Sequence, residues 1–131
     1  MTDVSCALIL DDNHNILVAQ RSAFMRLPLK WEFPGGKIEE GETAEDCLIR
    51  EIKEELGVSV EVIDVMMPSI YNDGRQSICL FPFLCKIVAG EIMLHEHAAY
   101  LWLPPNELTG LDWAAADIPV LEAYLLKLFQ S

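Results

Sequence analysis

Three carboxylates, Glu51, Glu54 and Glu55, lie within one short stretch of the chain. If that stretch is helical, at about 100° per residue Glu54 lies about 60° to one side of Glu51 and Glu55 about 40° to the other, so all three share a face. Like charges this close repel and raise one another's pKa. A divalent cation resolves the conflict, and hard oxygen donors select Mg²⁺, Mn²⁺ or Ca²⁺ over Zn²⁺. Such an ion binds phosphate oxygens, screens their charge and can activate water. An isolated ExxEE is more often an ordinary solvated helix face, because Glu is a good helix former. The surrounding elements decide between the two.

Those elements start with the helix itself. Ala44, Leu48, Ile52 and Leu56 repeat every fourth residue and form one apolar stripe. Thr43 suits the N-cap, Asp46 stands where a capping box carries Glu or Gln, and Gly57 stops the helix. The carboxylates fall on the border of the stripe rather than on its solvated back. Val4 to Leu10 and Ile16 to Ala19 read as strands either side of the turn cluster Asp11–Asn15. Ser22 to Lys30 reads as a loop, and Trp31-Glu32-Phe33 as an extended piece ended by Pro34-Gly35-Gly36. Val58, Val60 and Val62 alternate with polar residues as a strand does. Tyr71 to Arg75 is a hairpin signal, Ser77 to Val88 a long buried strand, and Tyr100 to Leu103 another strand. Ile118 to Phe129 is helical, with Pro119 in its first turn and a stripe of Ile118, Leu121, Leu125 and Leu128. This order predicts an α/β fold with a mixed sheet sandwiched between helices.

A chain of 131 residues with 52% hydrophobic and 23% charged residues fits one globular domain over residues 1–131. Met1-Thr2-Asp3 carries no basic run before an apolar segment, and the apolar run Ile78–Cys85 is too short for a membrane span, so a cytoplasmic protein without membrane association is expected. Cys6, Cys47, Cys79 and Cys85 show no CxxC spacing and read as free, buried thiols. The net charge of −12 repels nucleic acid polymers. It also repels a small polyphosphate unless a cation bridges the two, so any phosphate chemistry here has to be metal-bridged. By itself the charge means no more than an acidic surface. The assembly is expected to be a monomer or homodimer.

Gly36, Glu42 and the run Arg50-Glu51-Ile52-Lys53-Glu54-Glu55-Leu56-Gly57-Val58 match the spacing of the Nudix box without a departure. Trp31 to Lys37 resembles the segment before the box in the MutT-like branch of the Nudix hydrolases, and weaker similarity runs to Asp112–Pro119. The resemblance implies a Nudix-type α/β/α sandwich. It also implies a Mg²⁺-dependent hydrolase, with Mn²⁺ a possible substitute, cleaving a nucleoside triphosphate by attack of water at the inner (β) phosphorus. Glu51, Glu54 and Glu55 would ligate metal together with the carbonyl of Gly35, where glycine allows positive φ and close approach. Arg50 would hold a box carboxylate, and Glu42 would be structural or lie outside the ligands. Lys37 would contact phosphate or offset local charge. Within the same family, a nucleotide sugar or dinucleoside polyphosphate is the rival substrate class. A non-catalytic nucleotide-binding module is the rival from another class.

Two residues outside the box carry the rest of the implied chemistry. Glu96 stands where MutT-like enzymes place a further metal-linked glutamate that can act as base. Its neighbours His95 and His97 suggest zinc, but adjacent residues of an extended segment point oppositely. Asp117 resembles the site that hydrogen-bonds the nucleobase, although MutT-like enzymes often have Asn there, and an Asp two residues before Pro119 is also a good helix cap. An ionised Asp suits an exocyclic amine of cytosine or guanine, and a protonated one can also donate. That points to 8-oxo-dGTP or cytidine nucleotides. Phe33, Tyr71 and Trp113 are candidates for stacking on a base, and Arg21 and Arg75 for reaching phosphates.

Overall fold

The computed structural model describes residues 1–130. The strands are β1 (Thr2–Ile9), β2 (Ile16–Gln20), β3 (Trp31–Glu32), β4 (Gly35–Lys37), β5 (Ser59–Val65), β6 (Ser69–Asn72), β7 (Ser77–Ala89) and β8 (Ala99–Leu103). The helices are α1 (Ala44–Leu56) and α2 (Ile118–Gln130), with short 3₁₀ turns at Pro105–Gly110 and Ala115–Asp117. One sheet runs β4-β1-β7-β5, with β6 also on β7. It is mixed, because β1 pairs parallel with β7 and antiparallel with β4. A second sheet runs β3-β2-β8. Among the described residues no helix is long and apolar enough to cross a membrane.

Alternation along the strands builds two cores. Ala7, Ile9 and Leu17 pack with Leu48, Ile52 and Leu56 of α1. Cys6, Leu8, Ile16 and Val18 face the other way and pack with Val120, Leu121 and Tyr124 of α2. Successive residues of β1 and β2 thus feed opposite layers, as period two requires, and the sandwich read from the sequence is the fold observed. All four cysteines are free and buried.

Helix α1 begins and ends where its end signals place it. The Thr43 hydroxyl accepts a hydrogen bond from the Asp46 amide at 3.1 Å. Gly57 adopts φ 72°, the left-handed cap that glycine tolerates best, and its amide donates to the Lys53 carbonyl. The Ser5 hydroxyl donates to the Ala44 carbonyl at 2.7 Å and ties the first turn of α1 to β1.

Two expectations need correction, and one strand was not expected. The extended segment does not end at Pro34-Gly35-Gly36: Gly35–Lys37 continues as β4 along β1, with Gly35 opposite Cys6. The buried stripe of α2 is Val120, Leu121 and Tyr124, whereas Ile118 and Leu128 are 39% exposed. Leu121 and Leu125 of the expected stripe do pack on the core, and Val120 and Tyr124 take the other buried places. Strand β6 follows the apolar Met66–Met67, and its register with Ser77–Leu80 comes from the hairpin at Asp73-Gly74 rather than from alternation of its own.

Candidate active site

The C-terminal half of α1 and the β3–β4 segment enclose a cavity of about 320 Å³. Glu55, Gly35, Gly36 and Lys37 line one end. Phe33 and Asp117 line it as well, with Arg21 and Glu96 at its wall. Residues from α1, the β3–β4 segment, the loop before β8 and the turn before α2 therefore meet in one place. Glu51 does not line it, although its carboxylate lies against Gly36, which does. Arg50 and Glu54 sit outside it, toward solvent.

Glycine is needed at 35 and 36 for approach, not for positive φ: neither residue is left-handed. A Cβ on Gly35 would overlap the Ser5 carbonyl and stand 2.8 Å from Cys6 Cα, so β1 and β4 could not pair as they do. A Cβ on Gly36 would run into the Glu51 carboxylate, with Oε1 only 2.7 Å away.

The three box carboxylates differ in burial, as their place on the edge of the stripe dictates. Glu54 is 59% exposed at its side chain and Glu51 only 18%. Glu55 is the most enclosed. Burial, then the charges of Glu32 and Glu51, push its carboxyl up to about 9, opposed by a hydrogen bond from the Gly35 amide. Its Oε2 is buried with no hydrogen-bond partner. Burial likewise raises the Glu51 carboxyl above its usual range, against the Arg50 hydrogen bond.

Arg50 organises the solvent side. Its Nε and Nη2 donate to Glu42 at 2.7 and 3.0 Å, a two-point pair. Its Nη1 donates to Glu51 at 2.9 Å and lies 3.3 Å from Glu54 Oε2. The Arg50 hydrogen bond holds the Glu42 carboxyl down at about 2. Glu42 is thus the anchor of Arg50, and Arg50 fixes Glu51.

The donor set suits a hard divalent cation: every side chain in question offers oxygen, and the orphaned Glu55 Oε2 is an acceptor lacking a positive neighbour. Among the described residues no histidines, cysteines or carboxylates already converge as a closed ligand set.

Asp117 is brought to the cavity by the chain beside β3. The Trp31 amide donates to the Asp112 carbonyl at 2.9 Å, and the Ala114 amide to the Trp31 carbonyl at 2.8 Å. Asp117 then turns inward, 7% exposed, and its Oδ1 accepts from the Phe33 amide at 3.1 Å. Its side-chain bond is to Phe33 and not to the amides of α2, so the cap role expected of it is displaced by a cross-chain contact. Burial, then the charge of Glu32, push its carboxyl up to about 8.

That shift has a stability signature. Below the ordinary carboxyl pKa both folded and unfolded chains hold the proton, so there is no penalty. As pH rises toward 8 the unfolded chain ionises freely and the folded one resists, so stability is lost. Asp117→Asn, which keeps the acceptor for Phe33, is expected to raise the melting temperature at pH 8 by on the order of 5 °C and by much less at pH 4. Equal gains at both pH values would contradict it.

Not every candidate reaches the cavity. Trp113 packs in the core against Phe33, with ring centroids 4.8 Å apart, and its indole donates to the Leu108 carbonyl. Tyr71 pairs with Ile78 in the β6–β7 ladder, and Arg75 sits on that hairpin, where its amide donates to Asp73. Arg21 lines the cavity, but its Nη1 is held by Glu32 at 2.7 Å and its Nε by the Arg26 carbonyl. Lys37 lines the cavity and makes no ion pair among the described residues. His95 does not line the cavity, and the His97 ring bonds Glu32 at 2.8 Å. Sequence reasoning passed over Glu32, a charged residue in an otherwise aromatic and apolar segment, and Met25.

Comparison with known proteins agrees with this geometry. The NUDIX domain matches residues 1–124. The chain is 35% identical to the CTP pyrophosphohydrolase of Escherichia coli over 119 residues, covering 91% of this chain and 88% of that protein. It is 30% identical to the 8-oxo-dGTP diphosphatase of the same organism over 118 residues, covering 90% and 92%. The solution structure of the E. coli ORF135 protein superposes with a TM-score of 0.82 at 35% identity, covering 96% of this chain and 89% of that one. With the NUDIX domain matched over residues 1–124, an uninterrupted box running through α1 and Glu55 of that box lining the cavity, the chain belongs to the Nudix family.

Proposed function

We propose that this chain, as a single Nudix domain over residues 1–131, is a MutT-like, Mg²⁺-dependent pyrophosphohydrolase of nucleoside triphosphates in the cytoplasm. It converts an NTP or dNTP and water to the monophosphate and pyrophosphate, clearing oxidised guanine (8-oxo-dGTP) or cytidine nucleotides. The observation that carries the reading is that one cavity is lined both by Phe33 and Asp117 and by Glu55 and Gly35. The names of the two E. coli relatives support the same substrate class.

Glu51, Glu54 and Glu55, the Gly35 carbonyl and Glu96 would hold Mg²⁺, or Mn²⁺ in its place. When bound, that ion neutralises phosphate oxygens and lowers the pKa of water. The chain does the rest. Lys37 meets the phosphate tail. Phe33 and Asp117 orient the base, Asp117 as a neutral acid that offers a donor where an ionised one offers only acceptors. The water oxygen bonds to the β phosphorus as the bond from that phosphorus to the α–β bridging oxygen breaks. The monophosphate leaves with the bridging oxygen, and Glu96 takes the water's proton. Positioning and charge neutralisation supply most of the acceleration.

Pyrophosphate release across normal and oxidised NTPs and dNTPs tests this. 8-oxo-dGTP or the cytidine nucleotides are expected to lead the panel. If neither exceeds the rest, the role of Asp117 fails. If ADP-ribose or a dinucleoside polyphosphate is turned over faster than every triphosphate, the substrate class fails.

A further inference from the structure

The segment between β7 and β8 carries Glu96 without regular structure of its own. Its course is set by separate fastenings. The Met93 and His95 amides donate to the Leu56 and Glu55 carbonyls at 2.9 and 3.2 Å, at the C-terminal end of α1. The Ala98 amide donates to the Gln20 carbonyl at 2.9 Å, at the end of β2. Between these lies His97, whose side chain is 1% exposed and bonds Glu32 Oε2 at 2.8 Å. Glu32 gives its other oxygen to Arg21 at 2.7 Å.

In that pair the carboxylate accepts, so the ring donates from Nε2. Nδ1 is then left buried without a partner. Burying an imidazole with one nitrogen unmatched is costly, and an apolar side chain would fill the space without that cost. What the apolar side chain could not do is donate to Glu32. The bond joins the segment carrying Glu96 to β3, the strand that leads into Phe33 and Gly35. Glu96 is exposed and has no side-chain hydrogen bond of its own among the described residues, so its place is set by its neighbours.

We infer that His97 is a positioning residue: through its bond to Glu32 it fastens the segment that presents Glu96 to the cavity that Glu55 also lines. The inference rests on the proposed hydrolase reading, in which Glu96 serves the metal and the water. It assigns the His-Glu-His triplet an order. The His95 backbone anchors to α1, the His97 ring anchors to β3, and Glu96 is held between them.

The test uses the full chain with His97→Leu, which fills the space without a donor, and His97→Gln, which keeps one. Three measurements are made: kcat and KM for pyrophosphate release, Mn²⁺ binding without nucleotide by titration calorimetry, and amide hydrogen exchange of residues 95–98. The leucine variant is expected to lose about 10- to 100-fold in kcat with KM nearly unchanged, to bind Mn²⁺ about 10-fold more weakly, and to exchange faster at 95–98. The glutamine variant is expected to recover most of each. If the leucine variant does not fold, His97→Asn, whose shorter donor falls short of Glu32, replaces it in the comparison. Wild-type kcat, Mn²⁺ affinity and exchange in the donor-free variant would overturn the inference, as would equal damage from glutamine and leucine. Absence of Mg²⁺-dependent pyrophosphate release from the wild type would instead overturn the hydrolase reading, while Mn²⁺ binding and exchange still report on His97.

Discussion

Replacing Glu55 with glutamine is expected to remove Mg²⁺-dependent turnover by about 10²–10³-fold while leaving the metal-free protein at least as stable. The two effects share a cause. Glu55 is enclosed among Glu32, Glu51 and Glu96, and burial already pushes its carboxyl up to about 9. Glutamine keeps the shape, carries no charge to desolvate, and offers an N–H where the carboxylate has an unpartnered oxygen. It cannot supply the anionic oxygen that a divalent cation needs. Glu54→Gln is expected to lose turnover as well, but without a gain in stability, because its side chain is 59% exposed. Thermal melting in EDTA beside pyrophosphate release in Mg²⁺ measures both. Full Mg²⁺-dependent turnover in either variant would remove the box carboxylates from the chemistry.

The second large effect separates two adjacent glycines. Gly35→Ala is expected to destabilise the fold by about 3 kcal/mol, because the new methyl meets the backbone of β1, which cannot yield without breaking the β1–β4 pairing. Gly36→Ala is expected to fold nearly as well as wild type and to lose about 10²-fold in turnover. Its methyl meets the end of the Glu51 side chain, which swings aside cheaply but leaves its bond to Arg50. Urea unfolding and pyrophosphate release of the two variants give the comparison. If Gly36→Ala is fully active, the close fit of Gly36 under Glu51 has no bearing on catalysis.

Most of what builds the carboxylate end was legible in the sequence because it is local. The period of Leu48, Ile52 and Leu56, the Thr43 cap and the Gly57 stop define α1, and the angle between residues then places Glu51, Glu54 and Glu55. The alternation of β1 and β2 was legible for the same reason. What was not legible depends on contacts between distant residues. Nothing near Gly35 in the chain reveals that β4 lies against Ser5 and Cys6. Asp117 has the local sequence of a helix cap, and only the run of 112–114 beside Trp31 turns it to the Phe33 amide. Glu32 stands in a segment noticed for its glycines and aromatics, and its partners Arg21 and His97 come from either side in sequence. In α2, a helix apolar on more than one side, the period alone did not separate Val120 and Tyr124, which are buried, from Ile118 and Leu128, which are not.

The two-point bond between Arg50 and Glu42 has a consequence for how the site fills. Nε and Nη2 are committed to Glu42, while Nη1 alone reaches Glu51 and Glu54. Arg50 therefore competes with any incoming ion for those two carboxylates, yet it cannot leave when it loses. It acts as a resident counter-charge within the acidic cluster and would lower the affinity of that cluster for a bare ion. Under the proposed hydrolase reading, a nucleotide that arrives with its own divalent ion would add phosphate ligands to the exchange and tip it. Occupancy would then follow the substrate rather than the free metal concentration, and the protein would stand idle but intact between substrates.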